Sequence, residues 1–185
     1  MGMKNTPDPR KLLENSRVLF GREEVKAAVQ KMADEINDFY GDEPVILVSV
    51  LTGAIIPAAW LATRLKMPLQ MDFVHATRYR GGLYGAELEY HVPPRLDLED
   101  KHVLIVDDIF DEGNTLAAIK GSVEQRKARS VKMAALVRKD HNRGLPRDYV
   151  DFTGLDVPDV YVFGCGMDAY EEWRHLDEIL VLEED

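Results

Sequence analysis

An apolar run that ends in two adjacent carboxylates and a glycine turn constrains this chain more than any other feature. It spans residues 103–116, VLIVDDIFDEGNTL. Four successive apolar residues are typical of a strand buried on both faces, and a glycine shortly before a threonine indicates a turn that opens a helix. The run predicts a strand at residues 103–106, a loop through the acidic segment and a helix near 115–125.

Further segments predict alternating strands and helices. Residues 21–41 carry apolar residues at helical spacing, Phe39 among them. Residues 78–89 hold three glycines and show no helical or strand periodicity, which favours a mobile loop over a core element. Strands are predicted at residues 45–51, 69–76, 130–137, 160–163 and 179–182, with a helix from the first of them to about residue 65. Strand-helix-strand units form parallel sheets, so the predicted fold class is α/β: an open, mainly parallel sheet flanked by helices.

Composition excludes several classes of function. The 23 Lys and Arg against 33 Asp and Glu give a formal charge of −10, which argues against binding to duplex DNA or an anionic membrane. Residues 44–63 are uncharged, but Ser49, Gly53 and Pro57 favour a strand and a helix over a membrane span. The start, MGMKNT, formally fits a myristoylation pattern, which we interpret as a chance match or as extra residues ahead of a native Met3. With a single cysteine and no signal peptide, we expect a cytoplasmic protein.

The acidic loop itself points to a ligand. In an open parallel sheet, ligands bind beyond the carboxyl ends of the strands, and a helix N-terminus there offers N–H groups to an anion. Thr115 could add a hydroxyl, and Asp107 and Asp108 could accept hydrogen bonds from the vicinal hydroxyls of a sugar. Together these residues predict a site for a ribose phosphate.

The same run resembles the 5-phosphoribosyl-1-pyrophosphate signature of the type I phosphoribosyltransferases. That signature is an apolar strand, two acids, two apolar residues, Asp, a small polar residue, Gly, any residue and Thr, from which only Glu112 differs in character. Residues 51–54, LTGA, resemble the family's pyrophosphate loop, and residues 136–139, LVRK, the strand that presents a basic residue to a purine. Residues 158–174 resemble the segments that cover the base. The similarity is greatest to the 6-oxopurine branch, the hypoxanthine-guanine phosphoribosyltransferases.

The resemblance implies purine salvage: transfer of the phosphoribosyl group to N9 of hypoxanthine or guanine, giving IMP or GMP and pyrophosphate. It implies one domain over residues 1–185, with a core at about 20–140 and a small hood formed by the N-terminal residues and about 150–185. It also implies Mg²⁺ as cofactor and a homodimer or homotetramer. The preference among hypoxanthine, guanine and xanthine stays open.

Roles for individual residues follow from the resemblance. Asp111 would be the general base near N7 of the purine, Lys139 would donate to O6, and Tyr161 would stack on the ring. The carbonyl of Val162 could accept from the 2-amino group of guanine, and Asp168, Asp107 and Asp108 would hold magnesium. The 5-phosphate would be bound by Asp111, Glu112, Gly113, Asn114 and Thr115, and pyrophosphate by Leu51, Thr52, Gly53 and Arg174.

The sequence differs from the family pattern at three places, and several residue roles have alternatives. Glu112 places a carboxylate in the anion loop, and Thr52 replaces the usual Lys; Arg78 and Tyr79 stand where the mobile loop usually carries Ser-Tyr. Arg78 could replace the charge missing at Thr52, a hypothesis that the donor Michaelis constant of Arg78→Ala would test. Arg138 could replace Lys139 if the register shifts by one, and surface or core roles remain for the other candidates. We expect the five histidines to serve packing or solvent contact. A phosphoacceptor receiver and a non-catalytic regulator of the same fold are the rival functions.

Overall fold

The computed structural model describes residues 8–79 and 87–183, with the side chains of all of these except 77–79, 87 and 88. The helices are α1 (Pro9–Glu14), α2 (Arg22–Tyr40), α3 (Ile55–Ala62) and α4 (Asn114–Gln125), with a short 3-10 turn at Arg147–Tyr149. The strands are β1 (Ser16–Phe20), β2 (Val45–Val50), β3 (Leu69–Tyr79), β4 (Glu87–Val92), β5 (His102–Phe110), β6 (Ser130–Asp140), β7 (Phe152–Pro158), β8 (Val162–Phe163) and β9 (Ile179–Leu182).

Six of these strands form the central sheet in the order β4-β3-β2-β5-β6-β7. All neighbours are parallel except β3 and β4, which form an antiparallel pair. The strands β2, β3, β5 and β6 therefore end at one edge of the sheet, and the predicted α/β class is confirmed. None of the helices among the described residues is long and apolar enough to cross a membrane.

Helices cover the two faces of this sheet unequally. On one face, α2 and α3 pack on alternate residues of β2, β5 and β6, such as Leu47 and Leu104; on the other face, α4 packs on Val48 and Ile105. The predicted helix at residues 21–41 is confirmed, and the side chain of Glu24 caps it by accepting from the N–H of Gly21 at 2.9 Å. Phe39, predicted on its apolar face, is 53% exposed, and Tyr40 is buried instead.

A second sheet forms the hood, which we define as α1, β1, β8, β9 and the segment between β8 and β9. Its strand order is β1-β9-β8, all antiparallel. The indole N–H of Trp173 donates to the carbonyl of Pro9 at 2.9 Å, so the two chain ends are joined. A small separate core holds them, formed by Leu12, Phe163, Ala169 and Leu180.

Several predicted boundaries were wrong. The strand predicted at residues 103–106 continues to Phe110, because Asp107 and Ile109 still pair with β6. The strand predicted to end at residue 137 reaches Asp140, and the mobile loop predicted at 78–89 begins and ends as the paired strands β3 and β4. Strand β7 was not predicted; it lies in the central sheet, so the core extends past the boundary at about residue 150.

Candidate active site

A cleft of about 710 Å³ lies at the carboxyl ends of β2 and β5, between the central sheet and the hood. Its walls combine the end of β5, the first residues of α4 and two hood residues. The sequence-predicted residues that line it are Leu51, Gly53, Asp107, Asp108, Asp111, Glu112, Gly113, Asn114, Thr115, Asp168 and Arg174. Residues far apart in sequence therefore meet at one cavity.

The loop at residues 111–115 forms the anion-binding end of this cleft. Gly113 precedes α4 with φ +76°, and a Cβ there would overlap the ring of Phe110, so glycine is required. The first N–H groups of α4 have no partner within the helix and are available to an anion. The Glu112 carboxylate accepts from the Asn114 amide at 3.0 Å, so this departure from the family signature pairs with a neighbour in the loop.

The two acids of β5 lie deeper in the cleft. One oxygen of Asp107 accepts from the N–H of Asp108 at 3.0 Å, and Asp108 accepts from the N–H of Ile109 at 2.8 Å. Burial and the charge of Asp108 raise the pKa of Asp107 well above its usual value, and burial also raises the pKa of Asp108. Gly53 lies against Asp108 so closely that a Cβ would overlap its carboxylate. The loop that follows β2 therefore fixes the position of the Asp108 carboxylate.

The opposite wall carries an arginine between carboxylates. Arg174 Nη2 lies 2.6 Å from Asp168 Oδ1, and Nη1 donates to the carbonyl of Gly166 at 2.7 Å. The same guanidinium is 4.0 Å from Asp108 Oδ2. Arg174 is thus held over the cleft, where it can pair with an anionic group.

The carboxylates of the cleft are suitable ligands for Mg²⁺, a hard cation that protein and substrate oxygens would bind together. No group of three or more acidic, His or Cys side chains among the described residues could hold a metal by itself. Mg²⁺ commonly takes one or two protein carboxylates and completes its shell with water and substrate phosphates. Asp107 and Asp108 on one wall and Asp168 on the other offer oxygens of this kind.

Asp111 is surrounded by donors. Its Oδ2 lies 3.1 Å from Lys139 Nζ, its Oδ1 lies 2.6 Å from His141 Nε2, and Arg143 is 4.0 Å away. Burial alone would raise the pKa of Asp111, but hydrogen bonds from His141 and Lys139 outweigh it and lower the pKa. Asp111 is therefore ionised at neutral pH. The contact with His141 was not predicted from sequence.

A second cavity of about 430 Å³ adjoins this cluster and is lined by Lys139 and Tyr161. Because strand residues alternate between faces, Arg138 points away and pairs with Asp156 at 2.7 Å, so Lys139 is the basic residue beside Asp111. Tyr161 is 46% exposed, and its hydroxyl donates to the carbonyl of Asp168 at 3.2 Å.

Val162 has its backbone at the open edge of the hood sheet. The N–H of Leu182 donates to the carbonyl of Tyr161 at 3.0 Å, and Val162 faces Val181 in the next position of the antiparallel pair. In such a pair, successive residues alternate between facing the partner strand and facing away from it. The carbonyl of Val162 therefore points to the unpaired side of β8.

Comparison with known proteins identifies the family. The model of the phosphoribosyl transferase domain matches residues 20–172. The chain is 32% identical to a hypoxanthine-guanine phosphoribosyltransferase of Streptococcus pneumoniae, covering 94% of this chain and 98% of that protein. It is 33% identical to the protein of that name from Bacillus subtilis, covering 90% and 92%. The chain belongs to the phosphoribosyltransferase family.

A solved structure agrees with this assignment over most of the chain. A hypoxanthine phosphoribosyltransferase from Trypanosoma cruzi superposes with a TM-score of 0.84 at 30% identity, covering 92% of this chain and 97% of that one. The receiver alternative is therefore wrong, and the acidic pair belongs to a phosphoribosyltransferase.

Two of the predicted site residues whose side chains the structure describes line neither the cleft nor the second cavity. Thr52, which follows a cis peptide bond after Leu51, is exposed beside the cleft. Val162 is the other. Arg78 and Tyr79 end strand β3, and their side chains lie outside the described residues, so the compensation suggested for Arg78 stays a prediction.

Proposed function

We propose that this phosphoribosyltransferase acts in purine salvage, transferring the 5-phosphoribosyl group of 5-phosphoribosyl-1-pyrophosphate to N9 of hypoxanthine or guanine. The products are IMP or GMP and pyrophosphate. One observation carries the proposal: Asp111 lines the phosphate cleft, and its partner Lys139, 3.1 Å away, lines the second cavity. A donor in the cleft and a purine in the second cavity would meet at Asp111.

The phosphoribosyl donor, 5-phosphoribosyl-1-pyrophosphate, is held at its two anionic ends. The 5-phosphate binds the N–H groups of residues 111–115 and the hydroxyl of Thr115, at the positive end of α4. Pyrophosphate binds Arg174 and the backbone of Leu51 and Gly53 on the other side. Asp107 and Asp108 lie between these ends and accept hydrogen bonds from the ribose hydroxyls. With the donor bound in this way, C1 of the ribose would face the second cavity.

The purine reacts through N9 and loses a proton at N7. The N9 lone pair forms the bond to C1, the C1–O bond to pyrophosphate breaks, and Asp111 accepts the N7 proton. In the free protein, Lys139 lowers the basicity of Asp111 by pairing with it. When Lys139 turns to donate to O6 of the purine, Asp111 loses that donor and becomes a stronger base.

The remaining contacts select the base. Tyr161, half exposed in the second cavity, stacks on the purine ring. The carbonyl of Val162, at the open edge of β8, accepts from the 2-amino group of guanine. Lys139 has only donors, so a 6-oxo group satisfies it and the 6-amino group of adenine does not.

Magnesium would be held by Asp107 and Asp108 and by Asp168, and bound there it neutralises charge on the donor's oxygens. These carboxylates would supply the protein's share of the oxygen ligands, and water and substrate phosphates would supply the rest.

We propose that the chain assembles as a homodimer or homotetramer through the uncovered face of β3. Met71 and Phe73 lie on the face that α2 and α3 cover elsewhere, yet they are 50% and 48% exposed, and Ile55 of α3 is 51% exposed. Exposed apolar side chains grouped in this way are typical of an interface. A cytoplasmic location is a further proposal, based on the lone and buried Cys165.

Initial rates with hypoxanthine, guanine, xanthine and adenine, at fixed donor and magnesium, test the proposed function. We expect pyrophosphate release with hypoxanthine or guanine and essentially none with adenine. Binding of the donor without pyrophosphate release for any purine would favour a non-catalytic regulator instead.

A further inference from the structure

The imidazole of His141 is buried against the proposed base. It follows strand β6 directly, its side chain is only 7% exposed, and Nε2 lies 2.6 Å from Asp111 Oδ1. This contact joins the loop after β6 to the loop after β5, and the proposed proton transfer to Asp111 assigns it no role.

The hydrogen bonds of the ring assign its tautomer. The backbone N–H of Arg143 donates to His141 Nδ1 at 3.1 Å, so Nδ1 carries the lone pair. The proton of the neutral ring is then on Nε2, and it points at Asp111 Oδ1. His141 therefore donates a hydrogen bond to Asp111 Oδ1 through Nε2.

The rest of this loop is fixed to the loop that carries Asp111. The N–H of Leu145 donates to the carbonyl of Glu112 at 3.0 Å. Gly144, at φ +75°, lies against the backbone of Glu112 so closely that a Cβ would overlap it. Arg143 pairs with Asp159 at 2.8 Å. The ring of His141 is therefore held in place by its own loop on both sides.

The two donors of Asp111 divide its oxygens between them. Lys139 contacts Oδ2, and His141 contacts Oδ1. When Lys139 turns to the purine, it leaves Oδ2. The ring of His141 stays in place, because the backbone N–H of Arg143 holds its Nδ1. Oδ2 is then the oxygen that becomes available for a proton.

We infer that His141 is a positioning residue, which holds Asp111 through Oδ1 and keeps Oδ2 directed at the purine once Lys139 has moved. The inference rests on the proposed function, in which Asp111 accepts the purine proton. Without the Nε2–H donor, the carboxylate can rotate and offer both oxygens to Lys139, which keeps the lysine from O6. Removing His141 would therefore slow the chemical step without weakening the binding of the phosphoribosyl donor.

The test compares four variants with the wild-type enzyme: His141→Ala, His141→Gln, Asp111→Asn and the double variant His141→Ala with Asp111→Asn. We expect His141→Ala to lower kcat about tenfold or more, while the donor KM changes by less than about twofold, as for an interaction made in the chemical step. His141→Gln should recover most of kcat, because the glutamine amide can place a donor near the position of Nε2. In the Asp111→Asn background, His141→Ala should have little further effect.

His102→Ala is the matched control, since His102 is also partly buried and hydrogen-bonded, to Ser130 at 2.7 Å, but lies at the opposite end of β5. Equal losses from His141→Ala in both backgrounds, or an unchanged kcat, would overturn the positioning role. Equal losses in the alanine and glutamine variants would do the same. Failure of the proposed function shows differently, as an absence of pyrophosphate release by the wild-type protein with every purine tested.

Discussion

Replacing Asp111 by asparagine separates its chemical role from its structural one. The change keeps the shape of the side chain and removes its charge. The new amide would keep an oxygen toward His141, but its nitrogen would face the ammonium of Lys139, a donor against a donor. We expect turnover to fall by about 10²-fold or more, the scale of a lost general base. The KM for the donor should stay within about twofold, because the N–H groups of the loop remain.

The stability cost of the same change is small and can be set from the structure. A hydrogen bond to a charged group contributes about 1.5–3 kcal/mol when buried. Asp111 is 42% exposed, so solvent screening reduces the expected loss to about 1 kcal/mol. For a chain of this size, that corresponds to a Tm lower by about 2–4 °C. Because the folded-state pKa of Asp111 is lowered, its stabilising contribution is present at neutral pH and disappears as pH falls through that pKa.

Pyrophosphate release at saturating substrates and thermal unfolding measure the two effects. Asp156→Asn is the matched control, because Asp156 also pairs with two cations, Arg138 and Arg147, and is 49% exposed, but lies on β7 outside the cleft. It should lose a similar few degrees of Tm with unchanged turnover. Near wild-type turnover in Asp111→Asn would remove this residue from catalysis, and a similar loss of turnover in the control would show a general structural effect.

Three further predictions follow from the site and the sheet. Lys139→Ala should lower the rate with hypoxanthine and reduce the ratio of the hypoxanthine rate to the adenine rate. In the wild-type enzyme this ratio should be large, as much as about 10⁴-fold, because adenine leaves a buried donor unpaired. Adenine turnover within about tenfold of hypoxanthine in the wild-type enzyme would contradict the role of Lys139. Asp108→Asn should raise Tm at neutral pH while reducing turnover, because burial raises the pKa of this acid, and the difference in Tm should vanish as acid protonates the carboxyl; a lower Tm at neutral pH would argue against it. Phe73→Glu should reduce the mass measured by light scattering, whereas Phe39→Glu, at another exposed phenylalanine, should not.

The donor end of the site could be predicted from sequence because its residues are contiguous. Residues 103–116 carry the strand, both acids, the glycine turn and the start of α4, so local geometry alone brings Asp107, Gly113 and Thr115 to one cavity. The left-handed conformation at Gly113 and its close approach to Phe110 explain why glycine stands there. Each of these features depends on neighbours within a few positions.

The acceptor end depends on contacts between distant segments and was predicted less completely. Alternation along β6 decides that Lys139 and not Arg138 faces Asp111. The partner of Arg138 is Asp156 on β7, a strand of mixed composition that was not predicted from sequence. His141 belongs to none of the sequence motifs that predicted the site. Its role depends on the path of the chain from residue 141 to 145 and on the fixed backbone of Glu112. A histidine two residues beyond the predicted basic residue could have been named as a candidate on proximity alone.

The order of charges along the cleft explains how an acidic chain can bind an anionic donor. The N–H groups of α4 at one end and Arg174 at the other attract the phosphate and pyrophosphate, so the net charge of −10 is overcome locally. Between them, Asp107 and Asp108 are ionised only at a cost, as their raised pKa values indicate. In the proposed reaction, bond breaking precedes bond making, and positive charge builds on the ribose between those two ends. Carboxylates fixed there in advance interact more strongly with the transition state than with the neutral ring of the bound donor. The same burial that destabilises the free site therefore supports catalysis.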